Sequence, residues 1–287
     1  MNMDVLKMNR RKLILLEGSV VLGFILFAFP IFTISTTYVS TEKQFIMASS
    51  APSVAYIYRD SFTRANEYST FLIANGYVVS LINMTDILSV NLNIFDIIII
   101  GDDTSYGYNW GTIEQVRAIN VSSKPILGMS YGGSSFFEQL SLNIGWGNTW
   151  ESTGDSLNIT NADHQVFNTP TAIPKINPLK ICNTTVDLRA VYVPVPTSNL
   201  TLLGQETDSA THYPLIMQFD KYALWGFNCT VSQMTTNGTA LYLNLVNYLI
   251  SASSKPSAPI PAFELYYLLI ALLIPAILSK RTIKHLN

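Results

Sequence analysis

The sequence predicts a doubly wound α/β domain with a mostly parallel sheet, flanked by two transmembrane helices. Three observations carry this. Strand-like and helix-like patterns alternate between residues 54 and 140, the order that builds a parallel sheet through right-handed crossovers. The run FDIIIIG at 95–101 is continuously apolar and β-branched, as a strand covered on both faces requires. Only 13% of the 287 residues are charged, against roughly 25% in an ordinary soluble domain, because two long apolar segments dilute the charge.

The chain begins with a tail at 1–12 that carries Lys7, Arg10, Arg11 and Lys12. Residues 13–35 are long enough for one helix to cross a hydrocarbon core about 30 Å thick. That run exceeds the roughly 7–15 apolar residues of a signal core, and no small-residue cleavage site closes it, so it is expected to stay as an anchor. A polar stalk at 36–52 follows. The domain at 53–251 opens with a strand VAYIYR (54–59), then SFTRANEYSTFLIANG (61–76), whose apolar residues recur at helical spacing before a glycine stop. YVVSLIN (77–83) is a second strand and 95–101 the third. TIEQVRAIN (112–120) reads as a helix, PILGMS (125–130) as the fourth strand, and YGGSSFFEQL (131–140) as the helix after it.

From 143 to 220 the pattern loosens. Short β-like pieces such as DSLNIT, AVYVPV and LIMQFD predict an antiparallel extension or hairpins. YALWGFN (222–228) returns as a core strand, and MTTNGTALYLNLVNYLIS (234–251) is a strongly apolar last helix. A Ser/Pro linker at 252–261 leads to a second apolar span at 262–279 and a tail at 280–287 with Lys280, Arg281 and Lys284. Both basic clusters flank the outer ends of the chain, so the positive-inside rule places both termini in the cytoplasm and the central domain outside the cell membrane. Glu17 and Glu264 sit near the span ends, where a carboxylate reaches the interface.

Seven N-x-[ST] sequons, at Asn83, Asn120, Asn158, Asn183, Asn199, Asn228 and Asn237, fit an outward, glycosylated domain and suggest an archaeal source. Cys182 and Cys229, the only cysteines, lie in the same segment and are candidates for a disulfide in an oxidising exterior. No CxxC or His/Cys cluster supports a metal, and no cofactor is expected. With a formal charge of −2, no basic stripe and no P-loop, nucleic-acid binding is not expected.

Residues 128–132 read Gly-Met-Ser-Tyr-Gly, the spacing of a nucleophile elbow, in which a strained strand-to-helix turn lifts one side chain above the sheet. With the order of elements over about 54–250, the stretch PILGMSYGG resembles the strand-elbow-helix motif G-x-C-x-G of the class I glutamine amidotransferase-like superfamily, which has a flavodoxin-like fold and includes many members without catalysis. The resemblance puts Ser130 where the family has its nucleophilic cysteine. Against the family's H-x-E, which follows the last core strand, the stretch GFNCTVSQMTTNG puts Asn228 at the histidine and Thr230 at the glutamate.

A serine needs a base to remove its proton, and Asn228 has no titratable nitrogen. Asn228 also opens a sequon, so a glycan there would crowd the cleft. The chain is therefore expected to be a pseudoenzyme with no catalytic residue. His164 (in NADHQVFNTP) and His212 (in DSATHYPL) remain as candidate bases for Ser130, with Asp163 or Asp208 to orient them. The segment around His164 also resembles a structural loop common among members without catalysis.

Further candidates for ligand binding are Asp102 and Asp103 at the carboxyl end of the third strand, where open α/β sheets take ligands. Gly132 and Gly133 after the elbow could cradle an anion at the helix start, and Ser130 and Tyr131 beside them are ligand-binding candidates too. Trp146 and Trp150, in NIGWGNTW, could stack on a sugar or a partner. The function expected is a non-enzymatic, membrane-anchored extracellular binding or scaffolding domain. Its partners are the lipid bilayer and another membrane or cell-surface protein, as for similar domains in accessory components of membrane complexes. The alternative is an extracellular serine hydrolase or amidase using Ser130.

Overall fold

The computed structural model describes residues 50–253. Both expected membrane spans (13–35 and 262–279), both tails and most of the stalk and linker lie outside the described residues. Among the described residues no helix is long and apolar enough to cross a membrane.

The first half follows the expected alternation. Strand β1 (Ser53–Tyr58) leads to helix α1 (Phe62–Ala74) and β2 (Val78–Asn83), and β3 (Ile97–Ile100) to α2 (Ile113–Val121). Then come β4 (Ile126–Met129) and α3 (Ser130–Gln139), with no residue between them. No α-helix joins β2 to β3; two short 3₁₀ turns, Met84–Ser89 and Leu92–Ile94, make that connection. The second half holds β5 (Thr149–Gly154), β6 (Ser156–Ile159), β7 (Leu179–Lys180), β8 (Val186–Tyr192), β9 (Leu200–Gln205), β10 (His212–Tyr213), β11 (Leu215–Gln218) and β12 (Tyr222–Trp225), and closes with α4 (Thr236–Ser253). Helix α4 thus runs two residues into the expected linker.

The main sheet has the order β2-β1-β3-β4-β12-β11-β9-β6-β7. Its strands are parallel from β2 to β12 and antiparallel beyond. The irregular stretch after 143 therefore lengthens the sheet at one edge, and it also forms a separate antiparallel sheet, β10-β8-β5.

Burial follows the pleat. Val54 and Tyr56 of β1, with Ile97 and Ile99 of β3, enter a core under α1 and α4, where Leu72, Tyr242 and Leu245 meet them. Ala55, Ile57, Ile98 and Ile100 point the other way, to Val116 and Ile119 of α2 and Phe136 and Phe137 of α3. Because both faces are covered, no position in IIII can be polar.

Candidate functional site

Ser130 follows β4 directly and has φ +41°, a left-handed conformation for a non-glycine residue. Such a residue costs about 1–3 kcal/mol and persists only where its surroundings hold it. Those surroundings are close contacts made possible by glycine. A Cβ on Gly128 would stand 2.6 Å from Gly133 Cα, and one on Gly133 would stand 2.3 Å from the Gly128 carbonyl carbon. Gly132 faces the turn after β3: a Cβ there would lie 2.0 Å from Gly101 O. The glycines that were candidates to cradle an anion instead press α3 onto the ends of β3 and β4. The elbow geometry is present, but the Ser130 side chain is fully buried and its Oγ has no hydrogen-bond partner.

Because β1 pairs with both β2 and β3, the strand order reverses beside β1. The crevice at the carboxyl ends of β1 and β3 is where an open α/β sheet takes its ligand. Asp102 and Asp103 stand there, and both are occupied by their own chain. Asp103 Oδ2 accepts from the backbone N–H of Arg59, Asp60 and Ser61 at 3.2, 2.7 and 2.6 Å, tying down the turn into α1. Asp102, 6% exposed as a side chain, forms an ion pair with Nη1 of Arg64. Burial lifts the Asp102 carboxyl above its usual range, with Arg64 opposing the shift. Among the described residues no group of acidic, histidine or cysteine side chains could hold a metal ion.

The same Arg64 Nη1 donates to Asn228 Oδ1 at 2.7 Å. The residue at the family's histidine position is thus joined to α1 and to the end of β3. Its neighbour Cys229 accepts from the Tyr68 hydroxyl through its carbonyl at 2.7 Å. Thr230 opens a 3₁₀ turn, Val231–Gln233, and its N–H donates to Gln233 Oε1 at 2.8 Å. The two cysteines do meet: Cys182 and Cys229 are buried thiols whose sulfurs lie 2.9 Å apart. The Cys182 contact, followed by burial, pushes the Cys229 thiol well up.

Neither candidate base contacts Ser130. The His164 ring packs on Tyr248 at 4.8 Å and feels the charge of Asp220, which precedes β12. Since Asp220 precedes β12 and Trp225 at the strand's far end pairs with Met129, beside Ser130, His164 lies toward the other end of β12. There its Nδ1 accepts from Val166 N at 3.3 Å and caps the turn Gln165–Phe167. His212 lies on β10, its Nδ1 2.5 Å from Ser209 Oγ. Asp163 pairs with Lys175 at 3.1 Å.

The remaining candidates form two aromatic groups. In the first, Tyr131 lies 5.9 Å from the Tyr106 ring and 6.0 Å from that of Trp146. The guanidinium of Arg189 sits 3.6 Å from the Trp146 centroid and 5.2 Å from that of Tyr131, and it donates to Glu151 Oε1 at 2.5 Å. Arg189 is only 3% exposed, so this cation–π packing is largely desolvated. In the second, Trp150 stands apart from Trp146 and lines an open cavity of about 320 Å³ with Gly147, Asn148, Thr149, Tyr192 and His212. The sequence did not single out Arg64, Arg189, Asn148 or Tyr192. The one signal was for Tyr192, an aromatic at an outward position of a strand pattern.

No family model matches the sequence, and no curated protein is similar to it. Solved structures are. A chain described as a GMP synthase subunit from Thermoplasma acidophilum is 14% identical, over 71% of this chain and 96% of that one, with a TM-score of 0.45. The structure of PurLQS from Thermotoga maritima is 12% identical over 69% of this chain and 99% of that one, TM-score 0.47. The glutaminase domain of Trypanosoma brucei CTPS, with bound acivicin, is 11% identical over 73% and 97%, TM-score 0.39. The chain is thus similar in fold to class I glutamine amidotransferases. The expectation that the chain is no enzyme finds no support here, since these neighbours carry the names of enzymes. At these identities the likeness is one of fold and brings none of their activities to this chain.

Proposed function

We propose that residues 53–251 form the outward-facing binding domain of a membrane-anchored protein, held by helices at 13–35 and 262–279 with both termini in the cytoplasm. Its work is to dock a ligand or another membrane or cell-surface protein. The observation that carries the binding reading is the state of the elbow. Ser130 Oγ is fully buried with no base against it, and Asn228 is taken up by Arg64. The outward setting is supported by the basic clusters at both ends of the chain, by sequons whose Asn120 and Asn183 are exposed, and by a cysteine pair close enough to join in an oxidising medium.

A second reading, an extracellular serine hydrolase or amidase, is favoured by one observation: Ser130 keeps the strained φ of +41°, and strain of this kind gathers at functional sites. A fluorophosphonate probe applied to the full chain separates the two. The binding reading expects no label that Ser130→Ala removes. Stoichiometric labelling, lost in Ser130→Ala, would overturn it in favour of the hydrolase.

A further inference from the structure

The strand register places three side chains on one face of the small sheet. Trp150 of β5 pairs with Ala190 of β8, and Tyr192 of β8 pairs with His212 of β10. Ala190 and Tyr192 are two residues apart and so share a face. Cross-strand partners share a face as well, so Trp150, Tyr192 and His212 all point to the same side. Their neighbours Val191 and Tyr213 point to the other side, into the core. Trp150 is 63% exposed and Tyr192 51%. Both rings stand beside His212, at 6.1 and 5.3 Å. The cavity of about 320 Å³ that they line adjoins a second, of about 150 Å³, which shares Asn148 and Tyr192 and continues along Pro194, Val195 and Thr197.

Two features describe what this cleft would accept. No Asp, Glu, Lys or Arg lines either cavity, so nothing in it selects a phosphate, an acidic sugar or a charged peptide. The cleft also presents three polar groups, the Asn148 amide, the Tyr192 hydroxyl and His212 Nε2. Ser209 fixes the His212 ring through Nδ1 at 2.5 Å. A pyranose offers the matching surface, an apolar C–H face for an aromatic ring and a rim of hydroxyls for groups that donate and accept. Such a combination of apolar walls with a few convergent polar groups is the usual make-up of a small-ligand site. Trp146 is less suited to this, because Arg189 already covers one face of its ring at 3.6 Å.

We infer that this cleft binds a neutral saccharide, with one pyranose stacked on Trp150 and Tyr192 and a second linked unit lying beyond Asn148. This deepens the binding reading above and rests on it. The test uses the full chain in nanodiscs, free of sugar-headed detergent, first on a glycan array and then in tryptophan-fluorescence titrations with maltose, cellobiose and mannobiose. Saturable binding of a neutral saccharide is expected, weakened by about tenfold, the equivalent of one lost stacking contact, in Trp150→Ala and separately in Tyr192→Ala. Asn148→Ala weakens it less.

Three results would overturn the inference: no neutral saccharide bound on the array, binding unchanged by both aromatic substitutions, or a proline-rich peptide bound through Trp150 where saccharides are not. The two failures are distinguishable. Label on Ser130 removes the binding reading whatever the titrations give, whereas absence of saccharide binding leaves the probe result as it stands.

Discussion

The elbow and the small antiparallel sheet use the same kinds of side chain in opposite ways. Around the elbow, charges and aromatic rings meet partners from their own chain: Arg64 with Asp102 and Asn228, Asp103 with three backbone amides, Trp146 with Arg189. On the small sheet, Trp150 and Tyr192 stand open to solvent, and Asn148, in the turn just before β5, lines the cavity with them. The position that the fold makes conspicuous is filled, and the open capacity for binding lies on the extension. A candidate site is better located by exposed aromatic rings and polar groups around a concavity than by its place in a fold.

The contrast can be broken most directly at Gly132. Its added Cβ would lie 2.0 Å from the Gly101 backbone oxygen, and the next atom it meets, Thr104 Oγ1, is itself held by hydrogen bonds to Gly101 O and from Trp110 Nε1. Gly132→Ala is expected to destabilise the domain by about 3 kcal/mol, the upper range for overpacking. Denaturant unfolding measures this, and a loss below about 1 kcal/mol would mean that the elbow is not sealed by close packing.

The next largest effect tests the ion pair. Arg64→Met keeps much of the aliphatic stem but leaves Asp102 buried without its counter-charge, and it frees Asn228. Breaking a buried pair in this way costs about 3 kcal/mol. Here Asp102 is 6% exposed, so the cost is expected near that figure. Unchanged unfolding in urea would show that the pair adds nothing to the seal.

The smallest effect is toward the other end of β12 and is a dependence on pH. Burial holds the His164 imidazole below its usual range, with the charge of Asp220 opposing. The folded state therefore prefers the neutral ring, whose Nδ1 must stay unprotonated to accept from Val166 N. Below a pH of about 6.5 the unfolded chain binds the proton that the folded chain refuses. This contribution to stability is present above that value and is lost as pH falls through the folded-state value. Unfolding measured between about pH 7 and pH 5 is expected to lose this share of its slope in His164→Asn, which can still cap the turn but does not titrate.

Much of the parallel core was legible in the sequence. The run at 97–100, the helix spacing in 62–74 and the glycines at 128, 132 and 133 each carry their instruction within a few residues. Position 149–154 was harder, because TWESTG alternates weakly and follows a glycine-rich run, yet it pairs along its whole length with β8. His164 and His212 were equal in the sequence as bases for Ser130. They separate only because one caps a turn toward the amino end of β12 and the other lies on a different sheet.

The sequence by itself determined the alternation of elements, the two-sided core strands and the elbow, since periodicity and glycine spacing are local properties of the chain. Only the tertiary structure decided what that elbow faces. Arg64 and Asn228 are 164 residues apart, and Cys182 and Cys229 are 47 apart. Trp146 and Trp150, four positions apart, were parted by the register of β5 against β8, which put one ring under a buried guanidinium and the other in an open cleft. Pairings of this kind follow from strand order and register, which no short stretch of sequence contains.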